Sequence, residues 1–288
     1  MLATQAWTFG GATIQVECTP GRAAELATFV FHRIARQRLA ATPQVVLRLL
    51  ENPADGAFTL SSRGEVRCVD KSAGTIASWL LHVTCRQLAE TCRPGLLLHG
   101  GLVRSEADGV VLAGASGSGK TTLSAFLSSK NFDHITDELV YLPPASMRVA
   151  GFSAPLKLKK HGLAPLQGRI PLSPDSGRVL VGRHDVLVHL ASRRRSATVR
   201  LSAIVFPQYK ARARFRLERL SSAQAGLRLM AGVLNAGELP DHGFREVARL
   251  AGRVPAYDLR YSSLKQLDVH LGELRRALTP PVKKRAKR

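Results

Sequence analysis

Cysteine is scarce, with four residues in a chain of 288. Cys18, Cys68, Cys85 and Cys92 form no CxxC pair, and no histidine pair lies near them at zinc-finger spacing, which argues against a structural zinc site or a disulfide framework. They read as small buried hydrophobes in a reducing compartment. Aromatic residues make up 6% of the chain, and no basic segment is interleaved with aromatics as a stacking platform requires, so a nucleic-acid reader is not expected. Long apolar runs are missing too. No window approaches the ~18 consecutive apolar residues of a spanning helix, and Met1-Leu-Ala-Thr-Gln-Ala-Trp-Thr-Phe has no basic segment ahead of an apolar one. The expectation is a soluble, cytoplasmic protein without membrane contact. No internal repeat or coiled-coil pattern is present.

Acidic residues are also few: 21 Asp+Glu face 42 Lys+Arg, a net charge of +21. The tail Lys283-Lys284-Arg285-Ala286-Lys287-Arg288 supplies five of these charges and leaves +16 on the rest. Such a field favours anionic partners: nucleotides, acidic peptides or nucleic acid. Hydrophobic residues, at 45%, suffice for a packed core.

Periodicity predicts an α+β segment first. Trp7 to Val16 reads as a strand and Arg22 to Leu39 as a helix, followed by strands Val45 to Leu50, Ala57 to Ser62 and Glu65 to Asp70. Ser72 to Cys92 is the next helix, ended by Pro94-Gly95. Leu96 to Arg104 reads as a strand, Asp108-Gly109 as a hairpin turn, and Val110 to Ala113 as a buried strand. Thr121 to Ser129 looks helical and His134 to Leu142 looks like one strand. Beyond Pro143-Pro144 come strand candidates Val179 to Leu190, Thr198 to Phe206, Arg214 to Leu220 and Ala256 to Tyr261, with helices Ser221 to Leu234 and Leu264 to Leu278.

One motif is complete. Gly114-Ala115-Ser116-Gly117-Ser118-Gly119-Lys120-Thr121 follows an apolar strand and opens a helix, the context in which a glycine loop cradles phosphates. Glycines let successive N–H groups point at the anion, and the helix adds its positive end. Lys120 would neutralise the terminal phosphates and the Thr121 hydroxyl would ligate Mg2+, with Thr122 completing the loop. Nucleotide binding follows, with ATP expected and GTP possible. Asp137-Glu138, about 16 residues after Lys120, supplies two carboxylates that can divide metal binding from activation of an acceptor hydroxyl. His99 stands on the strand before the hairpin, within reach of the strand that feeds the loop, where an imidazole can bond Asp137 or the acceptor. Lys157, Lys159, Lys160, Arg183 and His184 are candidates for contact with an anionic second substrate, and Arg193-Arg194-Arg195 reads as an exposed turn.

In this order, Leu98-His99-Gly100, a hairpin, Gly-Ala-Ser-Gly-Ser-Gly-Lys-Thr-Thr-Leu and Ile135-Thr136-Asp137-Glu138-Leu139-Val140 resemble the HPr kinase/phosphorylase superfamily over roughly residues 96–142. A looser similarity to HPr-kinase-related kinases of bacterial peptide-maturation loci extends through Pro155-Leu156-Lys157-Leu158-Lys159 and Ile204-Val205-Phe206-Pro207. The resemblance implies an α/β fold: a P-loop kinase domain of phosphoenolpyruvate-carboxykinase/HPr-kinase-like type with a mixed sheet (94–279). A small α+β N-terminal region (1–93) packs on it, and a disordered basic tail (280–288) follows. It implies an ATP-dependent serine kinase in which Asp137 activates the hydroxyl, His99 partners it, and Glu138 with Thr121 forms the magnesium side. Lys120 and the loop amides bind the phosphates. The acceptor would be a peptide or small protein, presented in related loci by a PqqD-like chaperone, and the family favours a homo-oligomer. Asp-Glu stands where the bifunctional enzymes carry Asp-Asp, and Thr122 where they usually carry an acidic residue, so phosphorylase activity does not carry over. The first 90 residues do not resemble their regulatory domain, so HPr does not carry over as substrate. The alternatives are a small-molecule kinase, or a nucleotide-dependent peptide-binding module with little turnover.

Overall fold

The computed structural model describes residues 1–37, 42–92, 94–106, 108–160, 166, 168–169, 179–190 and 198–279. The basic tail 280–288 and the Arg193-Arg194-Arg195 run lie outside the described residues.

The N-terminal region is one six-stranded sheet with two helices. Its elements are β1 (Ala3–Phe9), β2 (Ala12–Cys18), α1 (Arg22–Phe31), β3 (Ala35–Arg36), β4 (Val45–Glu51), β5 (Phe58–Ser62), β6 (Glu65–Asp70) and α2 (Ala73–Thr91). The sheet order is β3-β1-β2-β4-β5-β6. The single strand expected over Trp7 to Val16 is a hairpin, because Gly10 and Gly11 adopt φ of 57° and 82° and turn the chain. In β2 the alternate residues Ala12, Ile14, Val16 and Cys18 are buried, the period of a half-covered strand. α1 stops at Phe31 instead of reaching Leu39, since β3 leaves the helix to pair Arg36 with Trp7 of β1. Trp7 packs on Phe31 at 4.6 Å, so tertiary packing sets the helix end. α2 starts where the Ser72 hydroxyl accepts from the Thr75 amide at 3.2 Å.

The second region holds β7 (Leu96–Ser105), β8 (Asp108–Ala113), α3 (Lys120–Ser128), β9 (Asp133–Thr136), β10 (Leu139–Leu142), β11 (Arg148–Gly151), β12 (Leu156–Lys159), β13 (Leu180–Val181) and β14 (Asp185–Val188). It continues with β15 (Val199–Tyr209), β16 (Arg216–Arg219), α4 (Ser222–Met230), α5 (Phe244–Arg253), β17 (Ala256–Tyr261), α6 (Leu264–Val269) and α7 (Leu271–Leu278). The main sheet runs β11-β10-β7-β8-β15-β17-β16, with β9 also paired to β7, and β12-β14-β13 form a third sheet. β8, β15 and β17 are parallel neighbours, so their carboxyl ends lie side by side. That edge is where open α/β sheets gather ligands. The architecture is a mixed α/β fold.

Several expectations change. His134 to Leu142 is two strands, β9 and β10, split by a turn at Asp137-Glu138. Val179 to Leu190 likewise divides into β13 and β14. The helix expected to reach Leu234 ends at Met230, and α5 was not anticipated. Asp108 and Gly109 begin β8 instead of making the turn; a Cβ on Gly109 would stand 2.4 Å from Val199 Cγ2, so this glycine serves packing of β8 on β15. The two regions share core: Phe9 meets Phe152 at 5.2 Å, and Leu97, Leu139 and Leu187 join the apolar cluster of the N-terminal sheet. Among the described residues no helix is long and apolar enough to cross a membrane.

Candidate functional site

β8 is fully apolar through Val110 to Ala113 and delivers the chain into the glycine loop. Gly114, Gly117 and Gly119 take φ of 141°, 83° and 99°, a region L side chains disfavour. At Gly119 space is also short, since a Cβ would lie 2.5 Å from the Tyr261 hydroxyl. That hydroxyl donates to the Gly119 carbonyl at 3.0 Å, and the Tyr209 amide donates to the Ser118 carbonyl at 2.9 Å. The ends of β15 and β17 thus brace the loop. Gly119 caps α3 without a side-chain bond, leaving the first amides of a nine-residue helix available to an anion.

Ala115, Ser116 and Gly117 are exposed, whereas Lys120 is 6% exposed. Its Nζ folds over the loop and donates to the carbonyls of Gly114 at 2.7 Å and Ala115 at 3.0 Å. Burial lowers the Lys120 pKa, with Asp137 and Glu138 opposing. Ser118 Oγ is buried without a hydrogen-bond partner, a polar atom still open to a ligand.

Opposite the loop, the β9–β10 turn is shaped locally. The Thr136 hydroxyl accepts from the Glu138 amide at 3.2 Å, and the Glu138 carbonyl accepts from the Gly100 amide at 3.2 Å. Asp137 therefore faces inward, 8% exposed, where its carboxylate accepts from the Thr121 hydroxyl and lies 3.5 Å from Ser124 Oγ. Gly101 makes the space: a Cβ there would stand 3.2 Å from Asp137 Oδ1. Burial drives the Asp137 pKa up to about 7, Glu138 adds to the rise, and Thr121, Lys120 and Lys157 counter it.

Glu138 points elsewhere, pairing with Lys157 Nζ of β12 at 3.3 Å. Burial works against the Lys157 charge, but Glu138 outweighs it and the pKa is raised. His99 Nδ1 lies 3.2 Å from the Glu138 carbonyl. A carbonyl only accepts, so Nδ1 carries the proton and Nε2 of the neutral ring keeps its lone pair. Burial and then Lys120 lower the His99 pKa, so the neutral form prevails at pH 7.

The structure thus gathers Lys120, Thr121, Asp137, Glu138 and His99, with two differences from expectation. Asp137, not Glu138, is the carboxylate against Thr121, because the turn buries the first residue and leaves the second for Lys157. His99 bonds the backbone of Glu138, not the side chain of Asp137. Of the basic candidates, Lys157 reaches the site, Arg183 pairs with Asp70 at 2.8 Å instead, and Lys159 and Lys160 are exposed. Tyr209, Tyr261, Gly101 and Ser124 were not anticipated. Only topology, which sets the ends of β15 and β17 beside the loop, could have found the two tyrosines.

Among the described residues no group of three or more His, Cys, Asp or Glu converges. Magnesium keeps waters and takes phosphate oxygens, so one hydroxyl and one carboxylate fit it. No family model matches the chain, and no curated protein matches it. Among solved structures, the HPr(Ser) kinase/phosphatase from Coxiella burnetii aligns at 8% identity over 62% of this chain and 98% of that one, with a TM-score of 0.27. So loose a likeness carries no weight for fold or chemistry, which rest on the geometry above.

Proposed function

We propose that the chain is an ATP-dependent kinase that transfers the terminal phosphoryl group to a hydroxyl, in keeping with the resemblance a serine of a peptide or small protein. The observation that carries the reading is the Asp137 carboxylate buried on the Thr121 hydroxyl, directly behind a complete glycine loop whose lysine is already folded over it. The loop amides and Lys120 bind phosphate oxygens and neutralise charge as transfer proceeds. Thr121 and Asp137 hold magnesium, which when bound offsets phosphate charge and orients the donor. Glu138, paired with Lys157, and neutral His99, bonded to the Glu138 carbonyl, serve the acceptor hydroxyl as proton acceptor and orienting group. A carboxylate sunk behind the loop suits the metal, and the less deeply buried one paired with Lys157 suits an arriving substrate.

The test is transfer from γ-labelled ATP with Mg2+ to serine-containing peptides and to small metabolites, comparing the wild type with Lys120→Ala and Asp137→Asn. Label on serine that vanishes in both variants supports the reading. Label on a metabolite alone moves it to a small-molecule kinase, and full transfer by Lys120→Ala overturns it.

A further inference from the structure

The glycine loop has a neighbour of strongly one-sided charge. Where β15 ends, Tyr209 contacts the loop, and the next residue, Lys210, begins a turn that runs to β16. This turn and the end of β17 enclose a cleft of about 470 Å³ lined by Lys210, Arg212, Arg214, Phe215, Arg216 and Arg260. Arg216 pairs with Glu218 at 2.5 Å, but among the described residues Lys210, Arg212, Arg214 and Arg260 have no carboxylate partner. The Arg260 Nε is buried without any hydrogen-bond partner. Uncompensated like charges this close repel one another, a cost that an anionic ligand removes.

The cleft is held in shape. The Ala213 amide donates to the Lys210 carbonyl at 3.1 Å, Arg212 sits at φ 63°, and Gln266 Nε2 of α6 donates to the Ala213 carbonyl at 3.0 Å. Phe215 stacks on His270 with centroids 4.0 Å apart and planes 3° apart, so one face of the cleft's aromatic ring is already covered. A base-stacking platform would present such faces openly. Beside the cleft, β16 is the outermost strand of the main sheet, bonded only to β17 among the described residues, with Arg216 and Arg219 exposed. An extended chain can add to such an edge through its backbone while its side chains meet the arginines.

We propose that this cleft and the free edge of β16 bind an acidic, extended polypeptide segment, and that on the kinase reading, on which this assignment rests, the segment belongs to the phosphoryl acceptor. Arg212, Arg214 and Arg260 take its carboxylates, the β16 edge takes its backbone, and the serine is thereby brought toward the glycine loop, which Tyr209, the residue before Lys210, touches. No covalent step is involved.

The full chain is titrated at near-physiological salt with a fluorescein-labelled, glutamate-rich peptide of about a dozen residues around one serine, followed by anisotropy. The same titration uses a serine-alanine peptide of equal length and a single-stranded oligonucleotide of equal charge. Arg212→Glu with Arg214→Glu is compared with Arg245→Glu, a charge reversal on the exposed face of α5. Binding of a fluorescent ATP analogue to each variant is measured separately, so loss of nucleotide binding in the wild type sinks the kinase reading without touching the cleft. The expected result is binding of the acidic peptide alone, weakened about tenfold or more by the double reversal and little by Arg245→Glu, with ATP-analogue affinity retained in both. Equal weakening by Arg245→Glu, or equal binding of the neutral peptide, overturns the proposal. Tighter binding of the oligonucleotide that is lost in the double variant assigns the cleft to nucleic acid instead and overturns it as well.

Discussion

Asp137 and Glu138 are neighbours in sequence with opposite surroundings. One is sunk behind the loop on Thr121, the other pairs with Lys157. Their replacements should separate accordingly. Asp137→Asn is expected to abolish the magnesium dependence of ATP-analogue affinity and to lower transfer by about 10²–10³-fold. Glu138→Gln should keep the magnesium dependence and lose rate alone, by about 10²-fold. Fluorescence titration with and without Mg2+, beside transfer rates, decides it; if Glu138→Gln loses the metal dependence, the roles are reversed. The adjacent glycines of β7 make a second pair. A Cβ at Gly100 would lie 2.7 Å from the Leu112 carbonyl oxygen, a backbone atom of the paired strand that cannot step aside. Gly100→Ala should therefore cost about 1–3 kcal/mol in urea denaturation. At Gly101 the near atoms are Ser124 Oγ at 3.0 Å and Asp137 Oδ1, both on side chains. Gly101→Ala should spare most of the stability and weaken magnesium-dependent nucleotide binding. The reverse ranking of the two alanines would refute this account of the strand.

Strands and helices were legible to the extent that their cause was local. The loop with its flanking strand and helix was readable because three glycines and an apolar run specify it without help. The Asp137-Glu138 turn was hidden, since Ile135 and Leu139 continue an apolar pattern through it; the Thr136 hydroxyl and the pairing of both arms to β7 make the break. α5 was missed because the sequence around Pro240 and Gly243 looks irregular, yet its Val247, Leu250 and Ala251 bury one face against the sheet. The bracing tyrosines lie far from the loop in sequence and meet it only through strand order. Strand pairing also carries a buried charge pair that no motif announces: Arg104 of β7 lies opposite Asp133 of β9 and bonds it at 2.9 Å, with side-chain exposures of 3% and 13%. Removing one member takes from the other the buried charge it faces across the strand pair. Arg104→Met should cost about 3–5 kcal/mol by chemical denaturation, and the double replacement Arg104→Met with Asp133→Leu should recover much of it. Equal losses in single and double variants would mean that the arginine acts through packing and not charge.

At the scale of the whole molecule, the two regions meet around histidines that have no room for charge. His189, after β14, bonds the Phe29 carbonyl of α1 at 2.8 Å and lies 4.1 Å from the ring of His32. Burial, then His32 and also Arg33 and His134, drive its pKa down from 6.5 to about 3. His134 of β9 is driven to about 3 by burial and by Arg33. Both rings stay neutral in the fold while the unfolded chain protonates them near 6.5, so between pH 6.5 and 3 the unfolded state binds more protons. Stability must then fall as pH drops through that window, each ring contributing a slope of up to about 1.4 kcal/mol per pH unit. Asp137 opposes one of them: raised to about 7 from 3.8, it binds a proton in the fold before the unfolded chain does and stabilises as pH falls. In metal-free buffer Asp137 should therefore cancel about one histidine's share of the slope below pH 6, while His99, whose pKa is also lowered, adds to what remains. His134 is the residue to remove, because its Nε2 is buried without a hydrogen-bond partner. His134→Leu should hold its stability at pH 7.5 and flatten the dependence between pH 6 and 4 by about 1.4 kcal/mol per unit, read from urea midpoints across pH. An unchanged acid slope would show that His134 is protonated within the fold, and the interface between the regions would then have to be open enough to solvate it.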